Sequence, residues 1–220
     1  MRIALLGAES TGKTQLAAEL AVHLGSRGTS VAVIPEVLRE WCEREGRTPR
    51  PEEQMPIAQE QERRVDAAAR ASEIVIADTT ALMVAIYSAM LFEDGALYRF
   101  ALERQSGYDA TLVTGLDLPW VADGLQRDGP HVREPVDALV RDALAGAGIG
   151  FRVIYGSGTE RLSNALCAID SLAAAAGAAP PAARSPSGQG IWRWVCDKCG
   201  DPDCEQRLFS ARVRRAATGS

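Results

Sequence analysis

A three-layer α/β fold, with a mostly parallel five-stranded sheet between two layers of helices, is what this chain of 220 residues predicts. Three observations carry that expectation. Short apolar runs alternate with longer segments of helical periodicity as far as residue 176. The runs are apolar enough to be strands of a parallel sheet covered on both faces. The first run leads straight into Gly7-Ala8-Glu9-Ser10-Thr11-Gly12-Lys13-Thr14, which has the G-x-x-x-x-G-K-[ST] spacing of a P-loop.

In order, Arg2-Ile3-Ala4-Leu5-Leu6 is the first strand, and residues 15–24 carry apolar positions at helical spacing. Residues 31–34 form a second strand, ended by Pro35. Helices follow over 37–45 and 52–71, the latter strongly charged on one face. A third strand, 74–77, ends in Asp78, and residues 80–91 and 96–105 read as helices. The fourth strand is 110–114 and the fifth 151–155, with a helix over 135–147 between them, stopped by Gly146 and Gly148. The last long helix runs over 159–176, with Thr159 as its expected N-cap. There is no internal repeat.

Composition narrows the class. Hydrophobic residues at 46% and charged residues at 24% are ordinary for a globular protein. A net charge of −5 argues against nucleic acid as the main partner. The first strand follows Met1 almost at once, so no signal peptide is expected. The longest apolar run, 81–92, is too short for a bilayer and includes Tyr87 and Ser88. Five cysteines without an export signal suggest thiols or metal ligands rather than disulfides, and a cytoplasmic location.

The P-loop supplies the first chemistry. Its glycines let consecutive N–H groups curl inward onto phosphate oxygens, where the helix N-terminus adds a favourable dipole. Residues Gly7, Glu9, Ser10, Thr11, Gly12, Lys13, Thr14 and Gln15 form the expected ATP-binding set. Lys13 reaches the terminal phosphates and the Thr14 hydroxyl ligates Mg²⁺. Asp78, about 65 residues after Lys13 at the end of an apolar strand, fits the acidic residue that orients Mg²⁺. It also fits an ordinary helix N-cap, by Asp78 or Thr79.

Pro35-Glu36-Val37-Leu38-Arg39-Glu40 follows the second strand. Glu36 is the best-placed carboxylate to hold an acceptor hydroxyl and take its proton, with Arg39 one turn on for substrate or phosphate. A solvated first helical turn would look the same. After the fourth strand, Trp120-Val121-Ala122-Asp123-Gly124-Leu125-Gln126-Arg127, with Arg133 beyond, sits where P-loop kinases carry a mobile lid. Arg127 would stabilise the transferring phosphoryl group, and Asp123 would orient that arginine or bind substrate. A surface turn is the plainer alternative.

In this order, G-A-E-S-T-G-K-T, P-E-x-x-R-E, I-A-D-T, Y-D-A-T-L-V and P-W-V-x-D-G-x-R resemble the nicotinamide riboside kinase domain of NadR-type proteins. They resemble equally the wider group of NadR-like AAA P-loop ATPases. The likeness covers residues 1–176. It implies ATP-dependent phosphorylation of the ribosyl 5′-hydroxyl of nicotinamide riboside, a small-molecule substrate. By the same likeness Gly12, Lys13 and Thr14 serve ATP, Asp78 serves magnesium and substrate, and Asp123, Gly124 and Arg127 form the lid. Tyr87 or Trp120 would stack on the pyridinium ring. With the P-loop at residue 7, a stand-alone kinase is expected. The alternative is a regulatory P-loop ATPase that hydrolyses ATP without a phosphorylated acceptor.

Composition shifts after Ala173. Residues 177–190 are a flexible Ala/Pro/Gly/Ser linker, and 191–220 a Trp- and Cys-containing tail. Cys196, Cys199 and Cys204 have spacing suited to Zn²⁺, with a fourth ligand to be found among Asp203, Glu205, Cys42, Cys167, His23 and His131. An unmetallated thiol cluster or a tail that docks a protein partner are the other readings.

Overall fold

The computed structural model describes residues 1–91, 95–121 and 129–177. The expected linker and tail, and with them Cys196, Cys199 and Cys204, lie outside the described residues, as do Asp123, Gly124 and Arg127.

The elements run β1 (Arg2–Leu6), α1 (Lys13–Gly25), β2 (Val31–Ile34), α2 (Val37–Glu45), α3 (Pro51–Ala69), β3 (Ile74–Asp78) and α4 (Ala81–Leu91). They continue as α5 (Gly95–Gln105), β4 (Ala110–Thr114), α6 (Arg133–Gly146), β5 (Arg152–Ile154) and α7 (Gly158–Gly177). The five strands form one sheet in the order β2-β3-β1-β4-β5, and every pairing is parallel. β1 lies at the centre, with Leu5 in register with Asp78 on β3 and with Leu112 on β4. The loops after β1, β2 and β3 therefore leave the same carboxyl edge, where open α/β sheets bind ligands.

Side-chain alternation distributes each strand between two faces. Ile3, Leu5, Ile76, Ala110 and Leu112 pack with Leu16, Ala17 and Leu20 of α1 and with Ala165, Ala168 and Ile169 of α7. Leu6 and Val113 point the other way, toward α3, α4, α5 and α6. Val75 and Ala77 meet Val65 of α3 in a smaller cluster. α4 is apolar on all sides, and Ala81 to Ile86 are each at most 2% exposed. Such a helix must be enclosed by neighbours, and α3, α5 and α6 supply them. Among the described residues no helix is long and apolar enough to cross a membrane.

Several boundaries differ from the sequence expectation. Helix α7 starts at Gly158, so Thr159 lies in its first turn rather than at its cap. Helix α6 starts at Arg133 after a 3₁₀ turn, Pro130–Val132. Pro135 sits in its first turn, where a missing N–H is harmless. β5 is limited to three residues because it pairs only with β4, whose last residue, Thr114, lies opposite Ile154. Neither Asp78 nor Thr79 caps α4. That cap is Thr80, whose Oγ1 accepts the Leu82 N–H at 3.2 Å.

Candidate active site

The loop after β1 is shaped by two glycines. Gly7 has φ 137°, and a Cβ there would lie 2.3 Å from Thr114 Oγ1; Gly12 has φ 75° and would meet Leu118 at 3.0 Å. Any side chain at Gly7 would displace the loop from β4. The curl is held from within by Thr11, buried, whose hydroxyl donates to the Ala8 carbonyl at 2.8 Å and lies 2.6 Å from Thr114 Oγ1. Ser10, also at positive φ (56°), accepts the Val121 N–H at 2.8 Å and donates to the Val121 carbonyl at 3.0 Å. This ties the loop to the segment after β4.

Lys13 is 8% exposed, and its ammonium donates to the Gly7 and Ala8 carbonyls at 2.9 and 2.7 Å. The cation thus lies back across the loop, within it rather than beside it. The next residue, Thr14, donates its hydroxyl to Asp78 Oδ2 at 2.5 Å. Asp78 is 4% exposed, and its other oxygen, Oδ1, is buried without a hydrogen-bond partner. A buried carboxyl oxygen left so is costly unless a cation or donor meets it. A hydroxyl and a carboxylate together are the protein donor set of a Mg²⁺ that takes its remaining ligands from phosphate and water. Among the described residues no three His, Cys, Asp or Glu side chains converge on a metal site.

The turn after Asp78 is strained and heavily braced. Thr79, β-branched, has φ 72°. Its N–H donates to the Leu5 carbonyl at 3.1 Å, and the Thr80 hydroxyl donates to Gln105 Oε1 at 2.6 Å. Gln105 in turn donates to Thr111 Oγ1 at 3.0 Å. The Ala81 N–H donates to Glu62 Oε1 at 3.0 Å. Glu62 is 3% exposed. Burial pushes its carboxyl above the usual range, against the pull of the Ala81 N–H, Arg104 and Tyr108.

Glu36 ends the loop after β2 at the N-cap of α2, with no side-chain cap bond. Its carboxylate is 14% exposed and lies 3.4 Å from the Arg39 guanidinium, so the two polar groups expected there are brought together as a pair. The Val37 N–H donates to Gln61 Oε1 at 2.9 Å. Tyr87 is half-buried on α4 and packs against the cluster that contains Leu6, Ala8 and Val37. Trp120 is half-buried after β4, and its indole N–H has no acceptor among the described residues. Arg133, also buried, donates to the Leu118 carbonyl at 3.0 Å. Of the distant cysteines, Cys42 is a buried thiol and Cys167 an exposed one, neither in a disulfide.

Arg161 escaped the sequence reading. Near the start of α7 and 4% exposed, it donates to the Thr11 carbonyl at 2.7 Å and to the Gly156 carbonyl at 2.9 Å, and pairs with Asp117 at 3.3 Å. Asp117 also accepts the Gly156 N–H at 2.6 Å. One guanidinium therefore joins the loops after β1, β4 and β5. A cleft beside it is lined by Gly12, Gln15, Leu16, Leu118, Ser157 and Gly158. Gln61 and Glu62 were missed as well, although a signal existed. With Gln54, they interrupt the i, i+3, i+4, i+7 stripe of Ile57, Ala58 and Val65 on the buried side of α3.

The sheet order, the curled loop and the Thr14–Asp78 contact define a P-loop protein with a kinase-like fold. The profile of a family described as "AAA domain" matches residues 2–161, and the chain belongs to that family. No curated protein matches the chain significantly. Among solved structures, the chain is similar to the NadR protein in complex with NR, at 21% identity and TM-score 0.61, over 79% of this chain and 51% of that one. The NadR protein in complex with NAD and AMP-PNP is similar at 18% identity and TM-score 0.59, over 79% and 49%. This chain thus spans about half the length of those NadR chains. Thymidylate kinase from Ehrlichia chaffeensis is similar at 17% identity and TM-score 0.56, over 78% of this chain and 98% of the other.

Proposed function

We propose that the protein is a small-molecule kinase that moves the γ-phosphoryl group of ATP to a hydroxyl of a nucleoside-like acceptor such as nicotinamide riboside. The observation that carries the reading is the buried Asp78 carboxylate, one oxygen held by Thr14 and the other unpartnered, at the mouth of a formed P-loop. The loop after the neighbouring strand β2 ends in a second carboxylate, Glu36. The sequence likeness to nicotinamide riboside kinases and the fold shared with NadR support the choice of acceptor.

In this reading the N–H groups of the loop and the start of α1 bind the phosphates. Lys13 leaves the Gly7 and Ala8 carbonyls, which it now holds, to span the terminal phosphates. Thr14 and Asp78 would hold Mg²⁺, which when bound neutralises charge on the phosphate oxygens. The acceptor oxygen forms a bond to the γ-phosphorus as the bond to the β–γ bridging oxygen breaks, releasing ADP. Glu36 takes the acceptor proton, and Arg39 holds that carboxylate in place. Arg127 and Asp123, assigned from the sequence pattern, complete the set over the phosphoryl group. Cys196, Cys199 and Cys204 are assigned a zinc ion separate from this chemistry.

The test is ADP release by purified protein with Mg·ATP, alone and with nicotinamide riboside or other nucleosides. Stimulation with formation of a phosphorylated nucleoside supports the kinase. Hydrolysis that no nucleoside alters supports the regulatory ATPase instead.

A further inference from the structure

Two consecutive buried residues of α3 reach two different turns at the carboxyl edge of the sheet. Gln61, 1% exposed, accepts the N–H of Val37, the residue after Glu36. Glu62, 3% exposed, accepts the N–H of Ala81, three residues after Asp78. We infer that Gln61 and Glu62 are positioning residues that set the two carboxylates of the site, Glu36 and Asp78, from one turn of α3. The inference rests on the proposed reaction for the role of Glu36 and on the P-loop geometry alone for Asp78.

The need for such bracing is visible in the backbone. A β-branched residue at positive φ persists only where its surroundings over-determine it, and Thr79 sits directly after Asp78. The Glu62 bond to Ala81 and the Thr80–Gln105–Thr111 chain fix the far side of that strained residue. Glu62 is itself anchored. Its Oε2 accepts the Tyr108 hydroxyl at 3.2 Å and lies 3.5 Å from Arg104, which is also bound to Asp66 at 2.7 Å. A carboxylate buried among these donors is a stiff support, because the Ala81 N–H and the Tyr108 hydroxyl would lose their acceptor without it. On the other side, Glu36 has no cap bond of its own. The α2 N-terminus that carries it is fixed through Val37 and Gln61.

Because the two supports serve different carboxylates, their loss must be separable. Support around a metal site is worth about 10–100-fold in metal affinity or activity. Replacing Glu62 by Met (E62M) should raise roughly tenfold the Mg²⁺ concentration needed for half-maximal AMP-PNP binding. In E62Q the amide oxygen still accepts from Ala81, and the requirement should return to within a few-fold of wild type. Q61M should leave the Mg²⁺ requirement alone and lower kcat with nicotinamide riboside by about tenfold or more, through misplacement of Glu36.

Calorimetric AMP-PNP titrations across Mg²⁺ concentrations, with ADP release assayed in parallel, read both arms. The proposal is overturned if E62M leaves the Mg²⁺ requirement unchanged. It is equally overturned if both variants lose metal dependence and turnover together, in step with their thermal midpoints. Should E62M not fold, E62D keeps the charge but shortens the arm that reaches Ala81, and must show the same Mg²⁺ shift. A wild type that binds Mg·AMP-PNP yet responds to no nucleoside overturns the kinase reading and the Gln61 half with it. The Mg²⁺ arm then still decides Glu62.

Discussion

The two faces of the sheet are built from different materials. Beneath α1 and α7 the packing is almost wholly aliphatic, from Ile3, Leu5, Leu16, Leu20, Leu112 and Ile169, with its buried polar side chains, Lys13, Asp78, Thr114 and Arg161 among them, gathered at the carboxyl edge. Beneath α3 to α6 the apolar cluster is threaded with buried polar groups: Gln54, Gln61, Glu62, Thr80, Ser88 and Gln105. The first face seats the curled loop and α1, and its polar contacts, Lys13 on the loop carbonyls and Thr14 on Asp78, lie at the carboxyl edge of the sheet. The second must fix the turns that carry Glu36 and Asp78, at the Val37 and Ala81 N–H groups, and that takes directed bonds. Polar atoms in a core are costly unless paired, so their concentration on one face marks where geometry outweighs simple burial.

The largest expected break falls on the polar face. Glu36→Gln keeps shape and removes the proposed base, so kcat with an acceptor nucleoside should fall on the order of 10²–10⁴-fold, with AMP-PNP affinity unchanged. Turnover equal to wild type would remove Glu36 from the reaction. Lys13→Ala comes next. Loss of one preorganised donor to the phosphoryl group should lower kcat by about 10²–10³-fold while circular dichroism stays native. Undiminished ATP turnover in this variant would contradict the P-loop assignment.

On the aliphatic face the effect should be of another kind. Leu20→Ala, at a fully buried position, should cost about 3 kcal/mol in chemical denaturation and leave kcat/KM of the folded fraction within about twofold. A large loss of kcat/KM in stable, folded L20A would erase the contrast between the faces. The smallest effect is set by pH at the surface of α3. Arg63 and Arg64 hold the Glu60 carboxyl down at about 2, and Arg47 with the Arg50 N–H does the same for Glu53. Both are depressed, so the stability they add is present above the ordinary value of 4.5 and is lost as pH falls through about 2. Buried Glu62 acts in the opposite sense: its contribution is complete below 4.5 and fades as pH rises through its raised value. Glu60→Gln should therefore flatten the acid limb of the thermal midpoint slightly, since exposed pairs are weak. An acid limb identical to wild type would show that Glu60 contributes nothing.

Much of this was legible in the sequence because it is local. The P-loop spacing fixed Gly7, Gly12 and Lys13, and the apolar runs located all five strands to within two residues. Asp78 was readable as a carboxylate at a strand end, and the Thr14 contact follows from β1 and β3 being neighbours. What was not legible depends on distance along the chain. Arg161 meets Thr11 from 150 residues away. Gln61 and Glu62 differ from surface residues of a charged helix only by falling on its apolar stripe. Thr80 displaced Asp78 and Thr79 as the α4 cap because the strained turn at Thr79 shifts the helix start by one residue, a detail of backbone dihedrals that no residue pattern states.

The most direct measurement is ADP release with nicotinamide riboside and a panel of nucleosides, paired with mass spectrometry of the nucleoside pool. A kinase built on Lys13, Asp78 and Glu36 predicts nucleoside-stimulated ADP release with one phosphorylated product per ADP, lost in Glu36→Gln. ATP hydrolysis at the same rate with and without every nucleoside, and no phosphorylated product, would contradict it.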